Sequence, residues 1–340
     1  MSASTRPTPP SPDLFFDVIR RSDDTAVLKT ALELEVFTAI GEGNQTAAAL
    51  AKRCQTSERG MRILCDALVI IGFLAKNDGA YTLTQDSALF LDKRSPAYLG
   101  SAAGFLSLPV QRMAFDRLTE AVRKGGTALG EQGSLEPENP LWVEFARSMA
   151  GMVRMPAESI AELLGAKSGK PWKVLDIAAG HGTYGITIAR HNPNAQITAV
   201  DWPNVLEVAK ENAQKAGVAA RHHLLPGSAF DVDFGTGYDV VLLTGFLHHF
   251  DLPTCEKLLR KVHAALAPGG QAVILDFVPN EDSVTPPSAA KFSLTMLATT
   301  PSGDAYTFAE YEKLARNAGF RSATLHTLPG SPQQLILAVK

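Results

Sequence analysis

From Asp13 to about Leu91 the apolar positions recur at helical spacing and then change period. Ala26, Leu28, Ala31, Leu32, Leu34, Val36, Phe37 and Ile40 predict one broad-faced helix with Gly41 as its stop. Thr46 is placed to cap a short helix over Ala47–Cys54. Ser57 opens a further helix carrying Met61, Ile63, Leu64, Ala67, Leu68, Ile70 and Ile71. Phe73–Lys76 and Tyr81–Thr84, joined by Asn77-Asp78-Gly79, then read as a β-hairpin. Three helices and a hairpin make a winged-helix layout. The helical period resumes over Pro96–Lys170, where Tyr98–Lys124 and Leu141–Leu164 predict two long helices around a Gly- and Glu-rich loop, Gly125–Glu138. Asn139-Pro140 supplies the cap and first-turn proline of the second.

Beyond Lys170 the pattern alternates short apolar runs with amphipathic stretches, the signature of an α/β domain with a largely parallel sheet. Strands are predicted at Val174–Ile177, Ile197–Val200, Arg221–Leu225, Tyr238–Leu243 and Gln271–Phe277, and helices at Val205–Ala216, Leu252–Leu266 and Phe308–Asn317. Asp251 is the cap of the middle helix, and Pro268-Gly269-Gly270 is a turn after it. Ser322–Leu328 and Gln333–Lys340 form a closing antiparallel pair. The expected organisation is a tail (1–12), a winged-helix domain (13–95), a helical bridge (96–168) and an α/β domain (169–340).

Composition narrows the function classes. A net charge of −3 offers no global attraction for nucleic acid or anionic lipid. The candidate recognition helix carries only Arg59 and Arg62 as cations and is otherwise apolar, so burial in the domain or in a dimer is favoured over groove reading. The Ser-, Thr- and Pro-rich start has no secretory core, and the apolar stretch Ala67–Ala75 is too short to span a bilayer. With three scattered cysteines (Cys54, Cys65, Cys255) and no CxxC, a reduced cytoplasmic setting is expected, with no membrane partner.

The candidate chemistry centres on Val174–Asp201: a buried strand, a turn at Gly180-His181-Gly182, a helix, and a second strand ending in an acid. That is a unit for a nucleotide-like cofactor, with Asp201 spaced to accept from ribose hydroxyls. The turn lacks the three-glycine spacing that admits a pyrophosphate, and no P-loop Lys-Ser/Thr follows. A nucleoside without phosphates fits better, and S-adenosyl-L-methionine is such a molecule.

On those residues the chain resembles the class I S-adenosylmethionine-dependent methyltransferases. More narrowly it is similar to the plant caffeic-acid/hydroxyindole type of O-methyltransferase and its bacterial relatives. The stretches that carry the resemblance are D-I-A-A-G-H-G, V-D-W-P-N-V at Val200–Val205, F-L-H-H-F-D-L-P-T-C at Phe246–Cys255, I-L-D-F-V-P at Ile274–Pro279, M-L-A at Met296–Ala298 and P-S-G-D-A-Y-T at Pro301–Thr307. The resemblance implies a Rossmann-like methyltransferase domain behind a winged-helix dimerisation domain, and a homodimer. It implies His248 as general base with Asp276 orienting it, and a bound methyl donor held by Asp176, Ala178, Gly180, Gly182, Tyr184, Asp201, Trp202, Ser228, Ala229, Phe230 and Thr244. Trp202 and Phe230 are the candidates to stack on adenine. The small-molecule acceptor is expected against Phe145, Met149, Met152, His249, Phe292 and Met296, an apolar lining suited to a flat molecule. S-adenosyl-L-homocysteine is the expected product, and no metal is required.

Three positions depart from the plant-type pattern. Ala305 stands where that family has a second glutamate beside the histidine, Ser228 where it has an adenine-contacting acid, and Thr244 where it has a lysine. O-methylation is the leading expectation. Methylation of nitrogen, sulfur or carbon with His248 merely positioning is the second, and a winged-helix sensor of S-adenosylmethionine the third.

Overall fold

The computed structural model describes residues 10–106 and 108–340, so most of the expected tail lies outside the described residues. The chain folds as two compact units that divide between Gly104 and Phe105.

The first unit is mainly helical: α1 (Asp13–Glu33), α2 (Val36–Gly41), α3 (Ala47–Arg53), α4 (Glu58–Ile70), the hairpin β1 (Leu74–Asn77) and β2 (Ala80–Leu83), and α5 (Gln85–Phe90). Thr46 and Ser57 cap α3 and α4 through their hydroxyls, accepting from Ala49 N–H and Gly60 N–H. The single helix expected over Ala26–Ile40 is instead two. Glu35 adopts a left-handed φ of 57°, which re-aims the chain so that Val36–Ile40 are all buried. Phe37, Leu50, Met61, Leu68 and Tyr81 form the centre of the core. Arg62, one of the two cations of the candidate recognition helix, is engaged by Asp66 at 3.1 Å. A further helix, α6 (Gly100–Leu106), runs across the division.

The second unit opens with α7 (Pro109–Asp116), α8 (Leu118–Lys124), α9 (Pro140–Met149) and α10 (Arg154–Leu163). Both long helices expected here are broken, and prolines explain the breaks. Pro109 can sit only in a first turn, and Pro156 cannot donate to the carbonyl a turn earlier, so it falls in the first turn of α10. Residues 150–153 become a turn, and Met152 and Met155 are left 40% and 61% exposed.

The α/β part follows as β3 (Lys173–Ile177), α11 (Thr183–His191), β4 (Gln196–Asp201), α12 (Pro203–Lys215), β5 (His222–Pro226), β6 (Tyr238–Thr244), α13 (Leu252–Ala265), β7 (Leu266–Asp276), α14 (Pro287–Ala290), α15 (Phe292–Thr299), α16 (Phe308–Ala318), β8 (Ser322–Thr327) and β9 (Gln334–Val339). One seven-stranded sheet has the order β5-β4-β3-β6-β7-β9-β8. Strands β3 to β7 pair in parallel, and β9 joins β7 and β8 antiparallel. Period-two alternation divides the core: Val241 and Leu243 of β6 face one apolar cluster, Val240 and Leu242 the other. The Pro268-Gly269-Gly270 turn is absorbed into β7 as an irregularity, where Tyr238 pairs Leu266 but Val240 pairs Gln271. Helices α5, α14 and α15 carry too few periodic positions to stand out in the sequence.

The strand order reverses between β3 and β6. Ligands in open α/β sheets bind at that switch point, beyond the carboxyl ends of the strands.

Candidate active site

The turn after β3 is built from left-handed backbone: Ala178, Gly180 and Gly182 have φ of 53°, 55° and 70°. Only glycine adopts this conformation without strain, and here two of the three positions are glycine. Asp201, at the end of β4, ties the turn down. Its Oδ2 accepts from Gly180 N–H at 2.8 Å and its Oδ1 from Trp202 N–H at 2.7 Å. Burial pushes the Asp201 carboxyl up to about 6, against the pull of those two N–H groups.

Asp176 lies deeper and is fully buried. Its Oδ2 accepts from Gly185 N–H at 3.1 Å, while Oδ1 has no partner. Burial is the first cause that raises this carboxyl to about 7, and the Asp201 charge adds to it. A buried carboxylate oxygen without a donor is costly unless a ligand supplies one. His181 accepts from Thr183 N–H through Nδ1 at 3.1 Å, and burial lowers its imidazole to about 4. The ring is therefore neutral and carries its proton on Nε2. It stacks against Phe145, centroids 6.2 Å apart, and Phe145 in turn meets Trp142 edge to face.

The other half of the site follows β6. Residues Leu247–His249 form one 3-10 turn that buries both histidines. His248 Nδ1 lies 2.6 Å from Asp276 Oδ1 at the end of β7. A carboxylate only accepts, so Nδ1 carries the proton and Nε2 presents a lone pair. Asp276 is fully buried and held from two further sides, by Phe277 N–H on Oδ1 at 2.8 Å and by the Tyr311 hydroxyl on Oδ2 at 2.9 Å. His249 lies alongside with ring centroids 4.3 Å apart, and its Nδ1 donates to the Phe246 carbonyl at 3.1 Å. Burial holds the His249 imidazole well below its usual range, with repulsion from His248 adding to it. It is neutral, with its Nε2 also a lone pair. Among the described residues neither Nε2 has a hydrogen-bond partner, and neither belongs to their sealed, unpartnered polar atoms.

Apolar walls surround this pair. Phe292 meets His248 edge to face at 4.8 Å and stacks on Phe277 at 4.0 Å, while Trp142 meets His249 at 5.2 Å. Met296 is buried one turn beyond Phe292 on α15.

Residues 138–321 match the family model of the O-methyltransferase domain, and residues 17–93 match that of the O-methyltransferase dimerisation domain. The chain belongs to the O-methyltransferase family. It is a S-adenosylmethionine-dependent methyltransferase with the fold of that family. A 3-hydroxy-5-methyl-1-naphthoate 3-O-methyltransferase of Streptomyces sahachiroi is 30% identical over 93% of this chain and 92% of its own. The crystal structure of an O-methyltransferase candidate from Nostoc punctiforme is 56% identical, with a TM-score of 0.94 over 97% of this chain and 100% of that one. Human N-acetylserotonin methyltransferase, solved with S-adenosylmethionine, shares the fold at a TM-score of 0.84 and 23% identity over 100% of this chain and 99% of that one.

In this member of the O-methyltransferase family the structure brings Asp176, Ala178, Gly180, Gly182, Tyr184 and Asp201 together around one turn, with Tyr184 buried in the first turn of α11. Trp202 packs with Ala146, Val205 and Val208, beside Trp142 and Val143. Phe230 lies edge-on to Phe250 at 5.0 Å. Ser228 turns its hydroxyl to the N–H of Phe230, and Ala229 is buried in the core. Thr244 ends β6, half-buried. Met149 is half-buried at the end of α9, whereas Met152 lies in the more exposed turn that follows. Ala305 is buried and supplies no second carboxylate.

Four positioning features escaped the sequence reading. Gly185 passes close enough to β4 that a Cβ would stand 2.7 Å from Ile197 Cγ2 and 2.9 Å from Asp176 Oδ2. A Cβ on Gly303 would overlap the His248 carbonyl oxygen, because this stretch lies against the histidine turn and Asp304 N–H donates to that oxygen at 2.9 Å. Lys261 gathers the carbonyls of Ala229, Phe230 and Val232. Tyr311 reads as one more core residue of α16. Gly303 lay inside a stretch already singled out, so the signal was present; for the others periodicity gave none.

Proposed function

We propose that this enzyme methylates a hydroxyl on a small, flat, apolar acceptor, aromatic or polyketide-like, by in-line transfer with His248 as general base. When bound, the sulfonium cofactor supplies an electrophilic methyl group, with S-adenosylhomocysteine as the product. The residues present fit it. Asp201 offers carboxylate lone pairs at ribose spacing, the left-handed turn has no side chains at Gly180 and Gly182, and Asp176 places a carboxylate with one uncompensated oxygen beneath the turn.

One observation carries the reading: His248 Nδ1 is locked onto Asp276 at 2.6 Å while its Nε2 stays unpartnered. Such an imidazole accepts the hydroxyl proton at Nε2, and Asp276 stabilises the imidazolium that forms. A positioned base contributes on the order of 10²–10⁴-fold. His249, neutral and with an open Nε2 beside it, is suited to accept from a second donor on the acceptor molecule. Phe145, Phe292 and Met296, with Met149 and Met152 at the edge, are the proposed apolar contacts. The name of the Streptomyces relative, a naphthoate methyltransferase, supports an aromatic acceptor.

Homodimerisation through the first unit belongs to the same proposal. The match to the dimerisation domain supports it, as do Leu14, Phe15, Val18 and Ile19 on α1, each more than half exposed in the single chain.

The test is a binding and turnover pair on naphthols and hydroxyindoles. Asp201→Ala is expected to abolish or greatly weaken S-adenosylhomocysteine binding. His248→Ala is expected to lower kcat by about 10²–10⁴-fold while leaving that binding nearly intact. Unchanged turnover in His248→Ala removes it as base. One observation favours a second reading: with Ala305 in place of an acid, His248 has a single carboxylate partner, which matters less for nitrogen, sulfur or carbon acceptors. Mass spectrometry of the product bond separates the two.

A further inference from the structure

The buried Asp276 carboxylate is unevenly served. Its Oδ1 takes two donors, His248 Nδ1–H and Phe277 N–H, whereas Oδ2 takes one, the Tyr311 hydroxyl at 2.9 Å. Asp276 and Tyr311 are both fully buried. Tyr311 reaches the carboxylate because α16 is fixed at its start by a reciprocal Thr307–Glu310 cap and lays Tyr311, Leu314, Ala315 and Ala318 against the sheet. Where the plant-type pattern has a second acid to steady the histidine, this chain has the buried methyl of Ala305.

Resting on His248 as the base, we infer that Tyr311 is a positioning residue of the methyl-transfer site: by donating to Asp276 Oδ2 it fixes the carboxylate plane so that Oδ1 stays on His248 Nδ1, in place of the second acid. Without that donor, Oδ2 is a bare oxygen in a dry interior, and the carboxylate relieves it by rotating toward other donors. The titratable groups around the carboxylate are His248 and His249 of the histidine turn, Cys255 of α13, and Tyr306 and Tyr311 at α16. Asp251 and Asp304 act at longer range on Cys255 and Tyr306. None of the others hydrogen-bonds Oδ2 in Tyr311's place.

The experiment is Tyr311→Phe, with His248→Ala and Asp276→Asn as controls, in the 340-residue protein. In Tyr311→Phe, kcat is expected to fall on the order of tenfold, with KM for S-adenosylmethionine unchanged. The acid limb of the kcat–pH profile is expected to move to lower pH, because a carboxylate that has turned away from Nδ1 stabilises the imidazolium less. The second readout is the downfield proton of the His248 Nδ1–H bond by NMR. It should be present in the parent, shifted in Tyr311→Phe and absent in Asp276→Asn. If Tyr311→Phe keeps the parental kcat, pH profile and proton shift, Tyr311 is packing only and the inference fails. If His248→Ala itself retains turnover, the base assignment fails instead. Should Tyr311→Phe prove too unstable for kinetics, 3-fluorotyrosine at 311 keeps the fold and strengthens the donor. The downfield proton must then move in the opposite sense, and no movement overturns the inference.

Discussion

Asp176 gives the donor site a sharp test. Its Oδ1 is the unpartnered oxygen at the base of the turn, and burial raises the carboxyl from 3.8 to about 7. In the free protein the folded state holds the proton more tightly than the unfolded chain. The group's contribution to stability is therefore lost as pH rises from about 4 through about 7. A cationic ligand reverses the preference, because an ammonium or sulfonium needs the ionised carboxylate. Affinity is thus expected to be full above about pH 7 and to fall about tenfold per pH unit below it, so that binding releases roughly half a proton at about pH 7. Asp201, raised to about 6, adds a second limb below that pH. Calorimetric titration of S-adenosylhomocysteine in buffers of low and high ionisation enthalpy reads both quantities. Asp176→Asn should lose the limb near pH 7, keep the one below about pH 6, and bind about ten- to a hundredfold more weakly at high pH, the range for a hydrogen bond to a charged group. Equal proton release in parent and variant, or an affinity flat across this range, would refute the assignment of Asp176 to the ligand's charge.

Gly303→Ala drives a methyl group into the His248 carbonyl and within 2.9 Å of the His249 carbonyl carbon; both are backbone, so the histidine turn must move. Turnover should fall on the order of 10²-fold at unchanged cofactor affinity, and parental kcat would mean that the turn tolerates the shift. Gly185→Ala crowds Ile197 and Asp176 together and should lower stability by about 1–3 kcal/mol in denaturant titrations while weakening S-adenosylhomocysteine binding. Thr46→Ala removes the cap of α3, where the hydroxyl accepts from Ala49 N–H at 3.2 Å. It should cost about 1 kcal/mol of stability with no change in kcat per folded enzyme, and a midpoint equal to the parent's would show the cap to be idle.

The two halves of the site differed in how far the sequence disclosed them, and the reason is chain continuity. The donor side is one contiguous strand–turn–helix–strand, so glycines at fixed offsets and an acid at a strand end already specify its geometry, and the structure places Gly180 N–H on Asp201 as that unit requires. His248 and Asp276 were legible for a related reason: Asp276 ends β7 and His248 lies in the turn just past β6, and neighbouring strands of a parallel sheet bring their carboxyl ends together. The proposed acceptor side would be assembled from α9, the histidine turn and α15, whose mutual placement no local pattern fixes. A face of Trp142, Phe145 and Met149 at helical spacing predicts a wall, but the proline at 156 broke the helix and carried Met152 out toward solvent. Nor does spacing reveal a hydrogen bond such as Tyr311 to Asp276, because a tyrosine at a core position of α16 obeys the apolar period whether or not its hydroxyl finds a carboxylate. The tautomers of His248 and His249 were invisible for the same reason, being set by what stands opposite each Nδ1: a carboxylate for one and a backbone carbonyl for the other. Those two partners leave two adjacent imidazoles both accepting at Nε2, where the family pattern has one imidazole and an acid. A carboxylate at 249 would hold a negative charge against the imidazolium that the proposed mechanism forms at 248, whereas a neutral ring does not. Among the described residues Asp276 is then the only carboxylate that hydrogen-bonds the proposed base, so on that proposal whatever keeps Asp276 in plane bears directly on turnover.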